Sequence, residues 1–276
     1  MDAIRTILVH MDSSPCSRMR LQVAARLAGR LGAQATAAYA VTPTLVAHPS
    51  GFMPGGDAGA LLVEFDDQRR RAAKALFDDA VAGGLSHLRW QDLAEEPVNA
   101  MRRAALYADL LVLGQREPKD GVRDVPADFV SSVVIGSGTP ALVLPYIQRS
   151  DEIGRRVMLA WKEAREAARA LIGAMPLLRS AERVDVTLWD EGYGEDAEVA
   201  ARIETRLKAQ GIEARIHRCG PQGADMGEQL LSRAADLDVD LLVMGCYGHS
   251  RAREWVLGGA THTILTSMTL PVLMAP

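Results

Sequence analysis

The chain has 276 residues and a formal net charge of −4 at pH 7. Without a surplus of positive charge, it is not expected to hold a nucleic-acid backbone or an anionic membrane. Hydrophobic residues make up 48% of the chain and aromatic residues 5%, which favours folded globular domains over disorder and disfavours a stacking platform for single-stranded nucleic acid. At about 100–200 residues per domain, the length predicts two domains.

The start of the chain and its cysteine content predict a cytoplasmic protein. Residues 1–5 lead directly into an apolar stretch, without the apolar core expected of a signal peptide. No segment approaches the run of about 20 apolar residues that a membrane-spanning helix needs. The cysteines (Cys16, Cys219 and Cys246) are too few and too scattered for a disulfide framework, so we expect reduced thiols.

The predicted elements of the first half follow a strand–helix pattern, with one interruption. In chain order they are a strand at 7–12, an Ala-rich helix at 23–32, a Pro/Gly-rich stretch at 41–59, and strands at 110–114 and 140–145. A polar run at 148–155 follows the last of these strands. We therefore predict two domains, at 1–148 and 154–276.

The second half alternates short apolar runs with longer amphipathic segments. Strands are predicted at 156–161, 184–189, 212–217, 239–245 and 270–275, and helices at 163–178, 194–210 and 225–237. Continuous apolar strands between helices indicate a parallel sheet covered on both faces, joined by right-handed crossovers. The fold class expected is α/β, with two Rossmann-like doubly wound parallel five-stranded sheets and helices on both faces.

An internal repeat supports the two-domain prediction. Leu110–Gly114 matches Leu241–Gly245 at an offset of 131 positions, and the closing strands match at the same offset. The opening strands match at an offset of 150, so the first copy carries 19 extra residues, the difference between the two offsets. The Pro/Gly-rich stretch at 41–59 is the natural place for them. A period this long indicates two similar domains, not a solenoid.

A glycine pattern follows the fourth strand of the second copy, at the sheet edge where doubly wound folds bind ligands. Gly245, Gly248, Gly258, Gly259 and Thr261 form the skeleton G-x2-G-x9-G-G-x-T, which leads into a helical run. Glycine lets the main chain approach a ligand closely, and the free amides of a helix N-terminus suit a phosphate. The hydroxyl at the end of the pattern adds a donor.

Nearby charge strengthens the prediction of a polyphosphate site, although a simpler explanation stays open. Arg251 and Arg253 would supply positive charge over the loop. The pattern matches neither a Walker loop nor the dinucleotide fingerprint. Taken alone, the glycines are equally compatible with a strand end and a helix start that only need conformational freedom.

The first copy provides an internal control for the second. At the offset of 131 positions, Glu117 replaces Gly248, Asp128 replaces Gly259, and Val130 replaces Thr261, so that the hydroxyl is lost. Carboxylates beside a triphosphate would repel it. We therefore expect a phosphate site in the second copy only.

Other clusters give weaker signals. Cys246 with His249, and His217 with Cys219, have spacings compatible with part of a metal site, but zinc needs about four ligands, so no metal is predicted. Arg69–Arg71 is predicted to lie on a solvent-exposed helix face.

These features together resemble a tandem universal stress protein, and the resemblance extends over nearly the whole chain. It rests on the opening strand through Ser14, the Ala-rich helix, both fourth strands, the closing strands and the glycine pattern. That pattern resembles the family signature of ATP-binding members, G-x2-G-x9-G-[ST], with Gly259 where the family has Ser or Thr. The family's aspartate at the end of the first strand is Asp12 in the first copy, but Lys162 in the second, preceded by Trp161.

The departure at the first strand of the second copy has two explanations. Lys162 would pair with a phosphate and Trp161 would stack on a base. Alternatively, Trp161 is an aromatic residue at the edge of the core and Lys162 a solvated lysine.

The resemblance implies a stress-response protein, and we expect its C-terminal domain to bind ATP or a related adenine nucleotide as a regulatory ligand. Little or no hydrolysis is expected, because the pattern offers no hydrolytic base and no carboxylate for magnesium. The alternatives are a nucleotide-free scaffold or chaperone-like dimer, and a slow ATPase that uses Asp12. The duplication predicts an intramolecular pseudo-dimer in which the closing strands pair, and it leaves a homodimer open. Nucleic acids and membranes are not expected as partners.

Overall fold

The computed structural model describes residues 4–47, 58–117, 124–190, 196–221, 225–247 and 259–276. Over these ranges the chain divides into two compact units, Ile4–Ser137 and Gly138–Pro276. Strands and helices alternate in both units, which confirms the predicted Rossmann-like α/β class. The domain limits 1–148 and 154–276 remain a prediction from the repeated sequence.

The first unit is a parallel sheet with helices. Its elements are β1 (Thr6–Met11), α1 (Cys16–Leu31), β2 (Gln34–Tyr39), α2 (Thr44–Ala47), α3 (Ala58–Ala82), β3 (Leu88–Asp92), α4 (Pro97–Ala105), β4 (Leu110–Gly114) and α5 (Phe129–Ser137). The strand order is β3-β2-β1-β4, with all pairs parallel. The chain moves outward from β1 to β3 and then returns to β4. Because parallel crossovers are right-handed, α1 and α3 pack together on one face, while α4 and α5 pack on the other.

The second unit repeats this arrangement and adds an antiparallel strand. Its elements are β5 (Ala141–Leu144), β6 (Arg156–Ala160), α6 (Arg165–Arg179), β7 (Arg183–Asp190), α7 (Asp196–Lys208), β8 (Ala214–Pro221), α8 (Met226–Asp236), β9 (Leu241–Gly245), α9 (Gly259–Ser267) and β10 (Val272–Ala275). The strand order is β5-β10-β9-β6-β7-β8.

The two closing strands pair with each other, as predicted. β5 closes the first copy in sequence, but it belongs to the second compact unit and pairs antiparallel with β10, so that Val143 lies opposite Val272. An apolar run of four residues carries no information about strand direction, so the antiparallel orientation was not readable from the sequence.

Strand burial explains why the fourth strands were the clearest signals in the sequence. Residues 110–113 of β4 are fully buried, and residues 241–244 of β9 are nearly so. Helices cover both faces of such strands, so every side chain is apolar. The edge strand β8 was less well predicted: it begins at Ala214 and not at Ile212, because the Ile212 amide donates to Leu207 O (3.0 Å) in the turn that ends α7.

Candidate functional site

Each unit has a crevice where its strand order reverses. In the first unit the carboxyl ends of β1 and β4 meet there, and in the second unit those of β6 and β9. Ligands of doubly wound sheets bind at this place because the loops on either side diverge. The residues at the strand ends differ between the two crevices.

Asp12 follows β1 in the first unit and is surrounded by hydrogen-bond donors. Its Oδ1 accepts hydrogen bonds from Ser14 Oγ (2.6 Å), Ser17 Oγ (2.8 Å) and Arg20 Nη2 (2.6 Å). Burial by itself raises the pKa of a carboxyl group, but the Arg20 guanidinium, His10 and these hydroxyls outweigh burial and hold the pKa of Asp12 well below its ordinary range. Asp12 is therefore a charged group that already has its partners.

The Arg20 side chain lies across Gly114, the last residue of β4. A methyl group added at Gly114 would overlap with Arg20 Nη1. Arg20 is 4% exposed, and its Nε has no hydrogen-bond partner among the described residues. The guanidinium thus fills the crevice between the ends of β1 and β4, in contact with the main chain that a ligand would otherwise approach.

The space that remains in this crevice is small. It is a cavity of about 60 Å³, lined by His10, Asp12, Arg20, Gly114 and Glu117 among others. Pockets for ligands of nucleotide size have volumes of about 300–1,000 Å³. This crevice therefore has room for a few water molecules next to Arg20, but not for a nucleotide.

The two carboxylates that the sequence placed in this crevice have different surroundings. Glu117 lines the cavity, as expected. Asp128 is exposed and accepts a hydrogen bond from Ser132 Oγ (2.7 Å) in α5, so it does not lie in the cavity. The larger obstacle is Arg20, which the sequence analysis did not single out.

His10 is buried in the wall of the same cavity. Its Nε2 donates to Ala40 O (2.8 Å), because a carbonyl oxygen can only accept, and its Nδ1 lies 3.9 Å from Asp12 Oδ2. Burial lowers the pKa of His10 to about 4, although the Asp12 carboxylate acts in the opposite direction. The ring is therefore neutral at physiological pH.

We expect the imidazole of His10 to titrate near pH 4, far below the ordinary histidine value of about 6.5. Because the folded protein takes up this proton less readily than the unfolded chain, the stability contribution is complete above about pH 6.5 and decreases as the pH falls towards 4. An NMR titration of the ring carbons measures the pKa directly. A His10 resonance that shifts between pH 6 and pH 7 would contradict the burial described above.

Arg69 corrects the prediction that Arg69–Arg71 lies on a solvent-exposed face. Arg69 is 6% exposed, and its guanidinium donates to Asp124 Oδ1 (2.5 Å) and Asp66 Oδ1 (2.9 Å). The other oxygen of Asp124 accepts from the Ser13 amide (2.7 Å). These bonds tie α3 to the loops after β1 and β4, which further closes the first crevice.

The second crevice contains several of the predicted site residues. Trp161 and Lys162 directly follow β6, Gly245 ends β9, and Gly259 and Thr261 lie in the first turn of α9. Lys162 is exposed, whereas Trp161 is half-buried and its amide donates to Thr187 O (3.0 Å). Outside the described residues lie Gly248, Arg251 and Gly258, together with His249 and Arg253.

Gly245 is required by the close approach of α6 to the end of β9. A methyl group added there would lie 2.5 Å from the Ala167 nitrogen and 2.6 Å from the Glu166 carbonyl carbon. The cap residue of α6, Ala164, makes no side-chain hydrogen bond to the helix start. Glu166 is buried and accepts from Arg165 Nε, so the acid in this turn is already paired.

The start of α9 is a second helix N-terminus, and it follows β9 in the chain. It contains no acidic residue in its first turn, and Thr261 is 5% exposed. The corresponding residue of the first copy is Val130. A glycine, free amides and a buried hydroxyl at a helix start are the groups that bind a phosphate in proteins.

A contact with α8 fixes the start of α9. Asp225 caps α8, with Oδ1 accepting from the Gly227 amide (2.8 Å), and its Oδ2 accepts from Thr263 Oγ1 (2.9 Å). The pKa of Asp225 is lowered, mainly by the Thr263 hydroxyl and in addition by the backbone amides from which its carboxylate accepts hydrogen bonds. Gly227 lies so close to α9 that a methyl group would come within 2.9 Å of Ala260 O. The sequence indicated the helix start at Asp225, but not its bond to α9.

The described part of the chain contains no cluster of three or more histidine, cysteine, aspartate or glutamate side chains that could hold a metal ion. Cys246 is buried, and burial together with the nearby Glu166 raises the pKa of its thiol. Among the helices described, none is long and apolar enough to cross a membrane.

The fold is that of a duplicated α/β protein of the doubly wound class. The two crevices at the strand ends are its candidate ligand sites. The family model for the universal stress protein family matches residues 3–144 and 160–276. The chain therefore belongs to the universal stress protein family. A search among curated proteins finds no match.

Several solved structures resemble nearly the whole chain. A universal stress protein from Archaeoglobus fulgidus DSM 4304 is 15% identical, with a TM-score of 0.73; the match covers 97% of this chain and 94% of that one. A functionally unknown protein from Pseudomonas aeruginosa PAO1 is also 15% identical, with a TM-score of 0.59 and coverage of 99% and 92%. At this identity the likeness shows the fold alone.

Proposed function

We propose that the second unit binds ATP or a related adenine nucleotide as a regulatory ligand, and that the first unit binds none. The observation that carries the proposal is the difference between the two crevices. In the first, the Arg20 guanidinium covers Gly114 and leaves a cavity of about 60 Å³. In the second, Gly245 and Thr261 occupy the matching strand end and helix start.

The groups of the second crevice suit the parts of a nucleotide. The free amides of a helix N-terminus carry about half a positive charge, which stabilises a phosphate. Thr261 adds a buried hydroxyl donor, Lys162 adds a positive charge at the end of β6, and Trp161 offers an aromatic surface to the base. Little or no hydrolysis is expected, because Glu166, the carboxylate beside Gly245, is buried and paired with Arg165.

The proposed role in the stress response rests on membership of the family. A cytoplasmic location, an intramolecular pseudo-dimer and a homodimer stay predictions from the sequence. ATP would act as a ligand that stabilises one state of the second unit, since binding to the folded state alone shifts stability by mass action.

The first test is whether the purified protein carries a nucleotide. The protein is denatured, and the supernatant is analysed for adenine nucleotides by chromatography. ATP affinity is then measured by calorimetry for the wild type and for Gly248→Glu, which imitates the first copy. We expect measurable binding by the wild type and none by the variant. No binding at millimolar ATP would favour the nucleotide-free scaffold, and release of phosphate above background would favour a slow ATPase.

Thr261→Val removes one hydroxyl at constant shape and should weaken ATP binding about tenfold or more, because a hydrogen bond to a charged group contributes about 1.5–3 kcal/mol. The matched control is Thr205→Val, on the exposed face of α7, where the hydroxyl donates only to Ala201 O. The control should bind ATP like the wild type. Equal affinity of Thr261→Val and the wild type would place the phosphates elsewhere.

A further inference from the structure

A cluster of charged side chains joins β7, β8 and α8 in the second unit. Asp185 is 1% exposed and accepts hydrogen bonds from His217 Nε2 (2.7 Å) and Arg183 Nε (2.7 Å). From α8, Arg233 Nη2 lies 3.0 Å from His217 Nδ1. The nucleotide site proposed above uses none of these residues.

The direction of these hydrogen bonds determines where His217 carries its proton. A guanidinium can only donate, so His217 Nδ1 accepts from Arg233 and is unprotonated. The neutral ring then carries its proton on Nε2 and donates it to Asp185. One neutral histidine therefore connects a buried carboxylate of the sheet to an arginine of α8.

A second proton on His217 would break this connection. It would place an N–H group on Nδ1, facing the N–H of Arg233 across 3.0 Å. The His217 side chain is 23% exposed, so solvent can deliver the proton. Arg183 and Arg233 already outnumber the single carboxylate of Asp185, and a charged imidazole would add like-charge repulsion.

The charged and titratable neighbours of His217 on its own strand add no negative charge. Arg215 and Cys219 lie two residues before and after His217 on β8 and share its face of the sheet. The helix α7 packs on the opposite face, beside Ile216 and Arg218. No carboxylate other than that of Asp185 bonds to the His217 ring in the described part of the chain.

The helix α8 links this cluster to the candidate nucleotide site. At its carboxyl end, Arg183 Nη2 donates to Leu237 O. At its amino end, Asp225 bonds Thr263, and Gly227 lies against the first turn of α9. A change in the position of α8 would therefore reach the helix start at which Thr261 lies.

We infer that His217 is a proton-controlled clasp for α8. The neutral ring holds Arg233 and keeps α8 on the sheet, and protonation releases Arg233 and loosens α8 together with the start of α9. The consequence for ligand binding, a lower ATP affinity in acid, rests on the proposed function. The clasp itself does not depend on it.

Hydrogen exchange of the α8 amides at pH 7.5 and pH 5.5 tests the clasp, because histidine changes its charge between pH 5 and pH 8. The informative variant is His217→Gln, whose amide donates to Asp185 and accepts from Arg233 without gaining a proton. After correction for the intrinsic exchange rate, protection of residues 226–237 in the wild type should fall about tenfold at pH 5.5, and in the variant less than about threefold. The exposed-histidine control, His87→Gln, should behave like the wild type. Equal losses in the wild type and His217→Gln would overturn the inference.

A second variant keeps the test decisive if His217→Gln does not fold. Arg233→Gln replaces the guanidinium by a neutral donor, so a protonated His217 no longer faces a positive charge on α8. The loss of α8 protection in acid should then be smaller than in the wild type. An unchanged loss would show that Arg233 is not the group that protonation displaces.

The link to the nucleotide is tested by ATP affinity at the same two pH values. Since a phosphate group itself gains a proton near pH 6, the comparison is made between the wild type and His217→Gln. The wild-type affinity should fall at least about threefold more than that of the variant. Equal pH dependence would overturn the link to α9. Absence of ATP binding at both pH values would instead contradict the proposed function, while hydrogen exchange would still decide on the clasp.

Discussion

Arg20→Met is expected to lower the free energy of unfolding at pH 7 by about 3–5 kcal/mol, because it leaves the buried Asp12 carboxylate without its cationic partner. Methionine preserves much of the apolar stem, so the loss reports the missing charge more than a cavity. Urea denaturation monitored by circular dichroism measures the change. The control on the same helix is Arg18→Met, since Arg18 and Asp79 form an exposed pair at 3.5 Å and such pairs contribute about 0–1 kcal/mol.

The pH dependence of the same variant provides an independent check. In the wild type the pKa of Asp12 is depressed, so its stabilising contribution is present at neutral pH and is lost as the pH falls below the unfolded value of about 3.9. Without Arg20, burial dominates and raises the pKa of Asp12. The stability difference between Arg20→Met and the wild type should therefore shrink as the pH is lowered. A constant difference, or a loss of less than about 1 kcal/mol at pH 7, would contradict the central role of the Arg20–Asp12 pair.

Gly245→Ala should destabilise the protein by about 3 kcal/mol, at the upper end of overpacking effects. The added methyl group would lie 2.5 Å from the Ala167 nitrogen and 2.6 Å from the Glu166 carbonyl carbon. Both are main-chain atoms, so the start of α6 must move away from β9. ATP affinity should fall as well, because the same two elements line the proposed site.

A matched substitution separates this clash from a general effect of replacing glycine. Gly29→Ala lies on the exposed side of α1, where a methyl group would meet nothing within 4 Å. It should leave stability unchanged or raise it by about 0.5–1 kcal/mol, the usual preference for alanine within a helix. Thermal denaturation of both variants gives the comparison. If Gly245→Ala unfolds at the wild-type temperature, the close packing of α6 on β9 is wrong.

The fold was predictable from the sequence because its signals are local and repeated. The buried strands β4 and β9 read as uninterrupted apolar runs, and the same run at an offset of 131 positions marked the duplication. The direction of β5 was not predictable. An apolar run of four residues carries no information about the direction in which β5 pairs with β10.

The sequence located the second crevice but not the contents of the first. Gly245, Gly259 and Thr261 stand out because glycines and a hydroxyl follow a strand directly. Arg20 lies eight residues after Asp12, inside a helix, and nothing in helical periodicity shows that its side chain reaches back to the strand end. The first copy was predicted to repel a phosphate through Glu117 and Asp128, whereas the structure shows the space filled by a guanidinium.

The His217 cluster escaped sequence analysis for a related reason. Asp185 is a charged residue between two valines of β7, and that was the available signal. Its partners His217 and Arg233 come from β8 and α8, so only the three-dimensional arrangement brings them together. A buried charged residue whose partners lie far away in the sequence cannot be recognised from the local pattern of hydrophobic residues.

The two units share one architecture, but different residues lie at the carboxyl ends of their strands. In the first, the Arg20 guanidinium lies across Gly114. In the second, the matching strand end and helix start carry Gly245 and Thr261. We propose that only the second unit binds a nucleotide.

Equilibrium dialysis against labelled ATP tests this proposal. We expect saturation at one ATP per chain, abolished by Gly248→Glu and retained in Arg18→Met. Saturation at two ATP per chain, or at one that persists in Gly248→Glu, would contradict it.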